Sequence, residues 1–162
     1  KDSVIYVVDR DNLGKFNGGQ DNIYQQISGQ LGGGVWSKPS YFNNTVYYGA
    51  VGDHLKSFPI VDAQLAATPA TQSSESYSYP GTTPSISANG TMNAIVWAVE
   101  NGSTGVLHAY NATNLTNELY NSNQAANNRD QFSDNKYVTP MVANGKVYVG
   151  TPNSVVVFGL LH

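Results

Sequence analysis

Tyr137-Val-Thr-Pro-Met-Val-Ala-Asn-Gly-Lys-Val-Tyr-Val-Gly-Thr-Pro-Asn-Ser-Val-Val-Val-Phe158 decides the fold of this chain, because its pattern recurs upstream. An apolar run led by Pro140 meets Asn144-Gly145, a dipeptide whose residues tolerate the positive φ of a type I′ hairpin turn. Thr151-Pro-Asn-Ser154 then breaks the second run, and Val155 to Phe158 begins a third. Two turns and three short apolar runs make an antiparallel meander.

Working outward, Pro39 to Gly49 has the same span, with Asn43-Asn44 at the turn. The second strands read Val46-Tyr47-Tyr48 and Val147-Tyr148-Val149, and the third Leu55-Lys-Ser-Phe58 and Val155 to Phe158. A copy between them has Pro84 leading, Asn89-Gly90 turning, Ile95-Val96-Trp97 as second strand and Leu107-His-Ala-Tyr110 as third, with a turn longer by three residues. The leading prolines stand 45 and 56 residues apart, a spacing that suits four-stranded propeller blades. A truncated copy opens the chain. Ile5 to Val8 matches the third strands, Asp9 to Lys15 aligns with Asn111 to Asn117, and Ile23 to Ile27 and Glu118 to Tyr120 follow as fourth strands. Leu65 to Thr71 is the expected fourth strand of the second copy.

The expected fold is therefore all-β, a partial β-propeller of about three and a half four-stranded antiparallel blades in one domain, 1–162. Residues 1–28 end one blade, 29–72 and 73–123 form two, and 124–162 form a last blade lacking its fourth strand. Sixteen Gly, seven Pro and eleven Tyr, with no sustained helical period, agree with this class. A net charge of −3 without a Lys/Arg cluster leaves no electrostatic footprint for nucleic acid. No apolar run approaches the roughly 20 residues of a membrane span, and no signal peptide opens the chain. Absence of Cys removes disulfides, Cys-ligated zinc and thiol nucleophiles. Few charges among many Asn and Ser suit a periplasmic or extracellular surface.

Thr139-Pro-x-x-Ala-Asn-Gly-Lys-Val-Tyr-Val-Gly-Thr151 resembles the β-propeller repeat of the quinoprotein (pyrroloquinoline quinone, PQQ) dehydrogenase-like superfamily, and the chain is similar to the last blades of longer bacterial proteins of that type. The resemblance implies fold more than chemistry. Quinone-binding members carry a disulfide of adjacent cysteines and a calcium held by Glu, Asn and Asp. This chain has no Cys and no residue matching those ligands, so neither PQQ nor calcium is expected. The expected function is a non-catalytic scaffold or binding module, part of a larger propeller. One alternative is the C-terminal part of a PQQ-dependent oxidoreductase whose active site lies upstream. Another is a domain that completes its ring by self-association, which exposed end strands would favour.

No catalytic, cofactor or metal residue is assigned. Asp9-Arg-Asp-Asn-Leu-Gly14 has calcium-loop composition, but its counterpart at Asn111 to Thr116 replaces both acids, which reads as an Asx turn. His54 beside Asp53, and His108, lack a nucleophile or second ligand at telling spacing and read as strand-end or outward-facing. Asn-x-Ser/Thr triplets at Asn43, Asn89, Asn101, Asn111 and Asn114 read as turn chemistry, and His162 as a cloning remnant. Strand direction puts the tight Asn43-Asn44 and Asn144-Gly145 turns on one face. The longer segments 67–82, 100–104 and 121–136 fall on the other. Binding is expected on that long-loop face, through Tyr77, Tyr79, Arg129 and Asp130.

Overall fold

Among the described residues fourteen strands, most of them short apolar runs bounded by turn residues, pair antiparallel in four sheets. The computed structural model describes residues 2–160, so His162 and the start at Lys1 lie outside the described residues. The first sheet pairs β1 (Ile5–Val8) with β2 (Ile23–Ile27). The second orders β3 (Ser40–Phe42), β4 (Thr45–Gly49) and β5 (Asp53–Val61), with both β6 (Gln64–Leu65) and β7 (Thr71–Tyr77) paired to β5. The third runs β8 (Ser85–Asn89), β9 (Met92–Glu100), β10 (Val106–Asn111), β11 (Asn114–Asn121), and the fourth β12 (Met141–Ala143), β13 (Lys146–Gly150), β14 (Val155–Phe158). No described helix is long and apolar enough to cross a membrane.

The hairpin chemistry is as the dipeptides dictate. Asn144 and Gly145 both take positive φ, 50° and 70°, and Asn43 and Asn44 take 43° and 57°, the sign a type I′ turn requires. Pairing then fixes an equivalence among the repeats: Val46, Val96 and Val147 stand opposite Phe58, Tyr110 and Phe158. The third-strand alignment holds residue for residue, while the second strand of the middle copy corresponds one residue later than expected, as Val96-Trp97-Ala98.

Because side chains alternate along a strand, this register sends the same positions to the same side in every sheet. Val46 and Phe58 face the first sheet, packing with Ile5, Ile27 and Leu31. Tyr47, Leu55 and Tyr77 leave the opposite side to meet Val96, Ala98 and Tyr110. Val99 and Leu107 likewise meet Val147, Val149 and Phe158. Three apolar clusters thus join four successive sheets, each formed by one kind of face on the other. The leading strands also adjoin, β8 touching both β3 and β12, and the Ser40 hydroxyl donates to the Pro84 carbonyl. Gly49 and Gly81 approach so closely that a Cβ on either would enter the other segment's backbone.

Two local expectations are corrected. The fourth strand of the second sheet is not 65–71 but β7, Thr71–Tyr77, which crosses position 72. β5 runs on past Phe58 and turns at Asp62-Ala63, so Leu65 is spent on a short return strand. There the Gln25 side-chain amide donates to the Leu65 carbonyl (2.7 Å) and accepts from its N–H (2.9 Å). The Asn89 turn is not extended: Asn89 pairs with Met92, leaving Gly90-Thr91 as a two-residue turn. The extra residues lengthen β8 and β9, with a bulge beside Asn93 (φ 52°).

Candidate functional site

Of the four residues expected to bind, Tyr79 and Arg129 are exposed, Asp130 is half-buried and Tyr77 is buried. Tyr77 is a core residue, fully buried, because it belongs to β7 rather than a loop. Its hydroxyl bonds the Tyr110 hydroxyl at 2.9 Å, and burial raises both phenols well above their ordinary value. Arg129 donates to the Asp130 carboxylate through Nε (2.6 Å) and Nη2 (2.9 Å), and the Tyr120 hydroxyl donates to the same carboxylate at 2.6 Å. Arg129 foremost, with Tyr120, holds the Asp130 carboxyl down to about 2 against partial desolvation. This pair braces the 121–136 connection, which two 3-10 turns and the buried Phe132 pin against Val147 and Val149.

Tyr79 is exposed and gathers three further side chains. Its ring meets Trp36 edge-on (centroids 6.0 Å apart, 69°) and Tyr137 edge-on (6.2 Å, 87°), and its hydroxyl bonds that of Tyr137. Lys136 Nζ lies 5.3 Å from the centre of the Tyr79 ring, within cation–π range. The three aromatics are 43 %, 45 % and 58 % exposed, yet each comes from a different connection between sheets, just before β3, β8 and β12. Edge-to-face contacts fix rings at little entropic cost, so this is a preorganised aromatic surface. Trp36 and Tyr137 escaped the sequence reading, although each stands three residues before its repeat's leading proline, Pro39 or Pro140.

The histidines divide. His54 is partly buried at the start of β5, its Nδ1 3.1 Å from the Glu75 carbonyl. His108 is not outward-facing: it is buried in β10, stacked on Tyr110, because its register turns it toward the second sheet. Nδ1 lies 2.6 Å from Glu118 Oε1 and Nε2 3.0 Å from Glu100 Oε2, partners on the two flanking strands. Both ring nitrogens are thus occupied by carboxylates of the protein's own strands. Among the described residues no group of three or more His, Cys, Asp or Glu side chains is arranged to hold a metal ion. In the Asp9 loop the Asp9 carboxylate accepts from the Asp11 N–H (2.9 Å), the Asx turn expected there, and Asp11 pairs with Arg10.

A concavity lies on the tight-turn face, between the second and third sheets. It encloses about 580 Å³ over a floor that includes Phe42, Tyr47, Pro59 and Ala94. Its rim carries Asn43, Thr45, Thr91, Asn93, Asn111 and Thr113, and no acidic or basic side chain lines it. Comparison with protein-family models, with curated proteins and with solved structures gives no match to this chain.

Proposed function

We propose that the chain forms about three and a half blades of a β-propeller and works as a non-catalytic binding module. Its recognition surface is the Trp36–Tyr79–Tyr137 cluster on the long-loop face. The repeated register, the three inter-sheet clusters and the adjoining leading strands support the propeller reading. One observation carries the functional reading: three connections remote in sequence each contribute a half-exposed aromatic to one rigid patch. Trp and Tyr dominate binding hot spots because they offer large rigid area with a polar tip. The engagement of both His108 ring nitrogens by carboxylates favours binding over catalysis.

A second reading places a small ligand in the opposite cavity, whose volume falls within the roughly 300–1,000 Å³ of small-molecule sites. Its uncharged amide and hydroxyl rim suits a neutral hydroxylated compound, since a buried charge would find no counter-ion. Screening glycan and peptide arrays with the wild type, a Trp36→Ala/Tyr79→Ala variant and an Asn43→Ala/Asn93→Ala variant separates the two. The aromatic reading expects affinity to fall at least tenfold in the first variant only, which is more than 1 kcal/mol. Loss confined to the asparagine variant moves the site to the cavity.

A further inference from the structure

The Trp36–Tyr79–Tyr137 surface has a shape and a charge. Interplanar angles of 69° and 87° stand Tyr79 almost upright against its neighbours, so the rings form two corners rather than one level platform. A sugar ring lying flat needs a level aromatic face, and around Tyr79 that space is shared with both neighbouring rings and with the Lys136 ammonium, 5.3 Å from the ring centre. A small ring wedged into a corner touches two walls at once. Polar groups narrow the choice further. The Tyr79–Tyr137 hydroxyl bond uses one phenol proton and leaves the other, so the surface offers a hydroxyl and an ammonium as donors. Proline matches that supply, because it has a compact ring, a carbonyl acceptor and no N–H. Proline-rich chain in its polyproline II form is extended without internal hydrogen bonds, loses little entropy on docking, and is what aromatic-lined grooves take up.

Charge points to what accompanies the prolines. Arg10, Lys56 and Arg129 each meet a carboxylate within ion-pair distance. Lys136 is exposed and, among the described residues, meets none, its contact being the Tyr79 ring. An incoming carboxylate therefore finds an ammonium already held at the aromatic surface, with no internal anion to displace.

The backbone holds this arrangement at a conformational cost. Tyr137 takes φ 62°, a left-handed value that a bulky residue rarely adopts. Val138 beside it packs against the cluster of Phe132 and Val147, anchoring the chain on the core directly after the turn. Lys136 and Tyr137 both meet Tyr79 as a result. Backbone strain of this kind collects at ligand clamps.

The geometry points to an extended, proline-rich peptide carrying an acidic side chain as the ligand, with pyrrolidine rings in the aromatic corners and the carboxylate on Lys136. Resting on the aromatic reading of the binding surface, this assigns Lys136 the selection of charge and Tyr137 the placing of both groups on Tyr79.

Fluorescence anisotropy with three labelled heptapeptides tests the assignment: six prolines around a central glutamate, the same prolines around a central lysine, and six alanines around the glutamate. The wild type is expected to bind the first about tenfold more tightly than either of the others. Lys136→Glu, a change at an exposed side chain, is expected to reverse the order of the two proline peptides. Tyr137→Gly takes the left-handed φ without strain, so it is expected to keep the melting temperature while losing affinity for the proline–glutamate peptide. Equal affinity for the glutamate and lysine peptides, or an unchanged order in Lys136→Glu, overturns the inference. So does failure of all three peptides to bind, whether or not oligogalacturonate, an acidic sugar chain, binds in their place. None of these results decides the aromatic reading itself, which falls only if the Trp36→Ala/Tyr79→Ala variant matches the wild type on the arrays.

Discussion

Lys56 and His108 occupy the same place in neighbouring sheets, opposite Tyr48 and Ala98 on the face turned to the preceding sheet, and the fourth sheet puts Val156 there opposite Val149. Their partners differ in kind. Lys56 Nζ bonds Asp53 Oδ2 and the Gln30 carbonyl, both at 2.7 Å, while Asp53 also accepts from the N–H groups of Gly32 and His54, each at 2.8 Å. That network ties β5 to the connection preceding β3. His108 instead ties three strands of its own sheet, through Glu100 on β9 and Glu118 on β11. Repetition here preserves backbone register and apolar contact, and one position per sheet is free to carry a polar side chain wherever local carboxylates can meet it. Val156 shows that the fold does not need a polar group there.

The comparison breaks most visibly at Asp53. Asp53→Ala strands an ammonium whose side chain is only 13 % exposed and orphans two backbone amides. Removing one partner of a buried pair costs about 3–5 kcal/mol, expected as a matching loss in urea-unfolding free energy. Acid attacks the same network. Burial alone would raise the Asp53 carboxyl, but Lys56 and the two amides outweigh it and hold it below its ordinary 3.8, and Asp130 is held to about 2. Folded values below unfolded ones give stability that is complete above the unfolded value and lost as pH falls through the folded one. Unfolding free energy is therefore expected to decline from about pH 4 toward pH 2, less steeply in Asp130→Asn.

His108→Val sharpens the comparison by giving the third sheet the residue of the fourth. Glu118 and Glu100 remain 22 % and 33 % exposed, so they regain water when the imidazole goes, unlike the stranded Lys56. Loss of two charge-assisted bonds, offset by an apolar side chain that the register accepts, is expected to cost about 1–2 kcal/mol. A cost equal to that of Asp53→Ala in urea unfolding would mean that the two networks are equally sealed from solvent.

Sequence pattern carries some of this architecture and hides the rest, for physical reasons. The Asn144-Gly145 turn and the third strands are visible because turn residues and apolar alternation coincide there. β7, Thr-Gln-Ser-Ser-Glu-Ser-Tyr, is nearly all polar, because only Ser73 and Tyr77 turn fully inward, and nothing local marks it as a strand. Tyr77 therefore reads as a loop residue until pairing to β5 buries it. The His108 partners lie 8 and 10 residues away and come together only through strand pairing. The aromatic cluster links Trp36, Tyr79 and Tyr137 through contacts between residues 43 and 58 apart, so sequence pattern marks only Tyr79.

The smallest effect concerns turns, where equivalent geometry again meets unequal residues. The β5–β6 hairpin turns on Asp62-Ala63 with φ of 50° and 63°, the same left-handed pair that Asn144-Gly145 makes at 50° and 70°. Alanine in that region crowds its Cβ against the following carbonyl, at roughly 1–2 kcal/mol, a penalty glycine escapes. Glycine also loosens the unfolded chain, which takes back about 0.4–1 kcal/mol. Ala63→Gly is therefore expected to stabilise the protein by about 0.5 kcal/mol, read as a small rise in urea midpoint at unchanged slope. Gly145→Ala makes the reverse exchange in the β12–β13 turn, where a Cβ meets only open space, so backbone strain alone is expected to lower the midpoint. Opposite signs of similar size would show that the two turns share one conformational cost, whereas a destabilising Ala63→Gly would show that the Ala63 methyl contributes contacts that outweigh its strain.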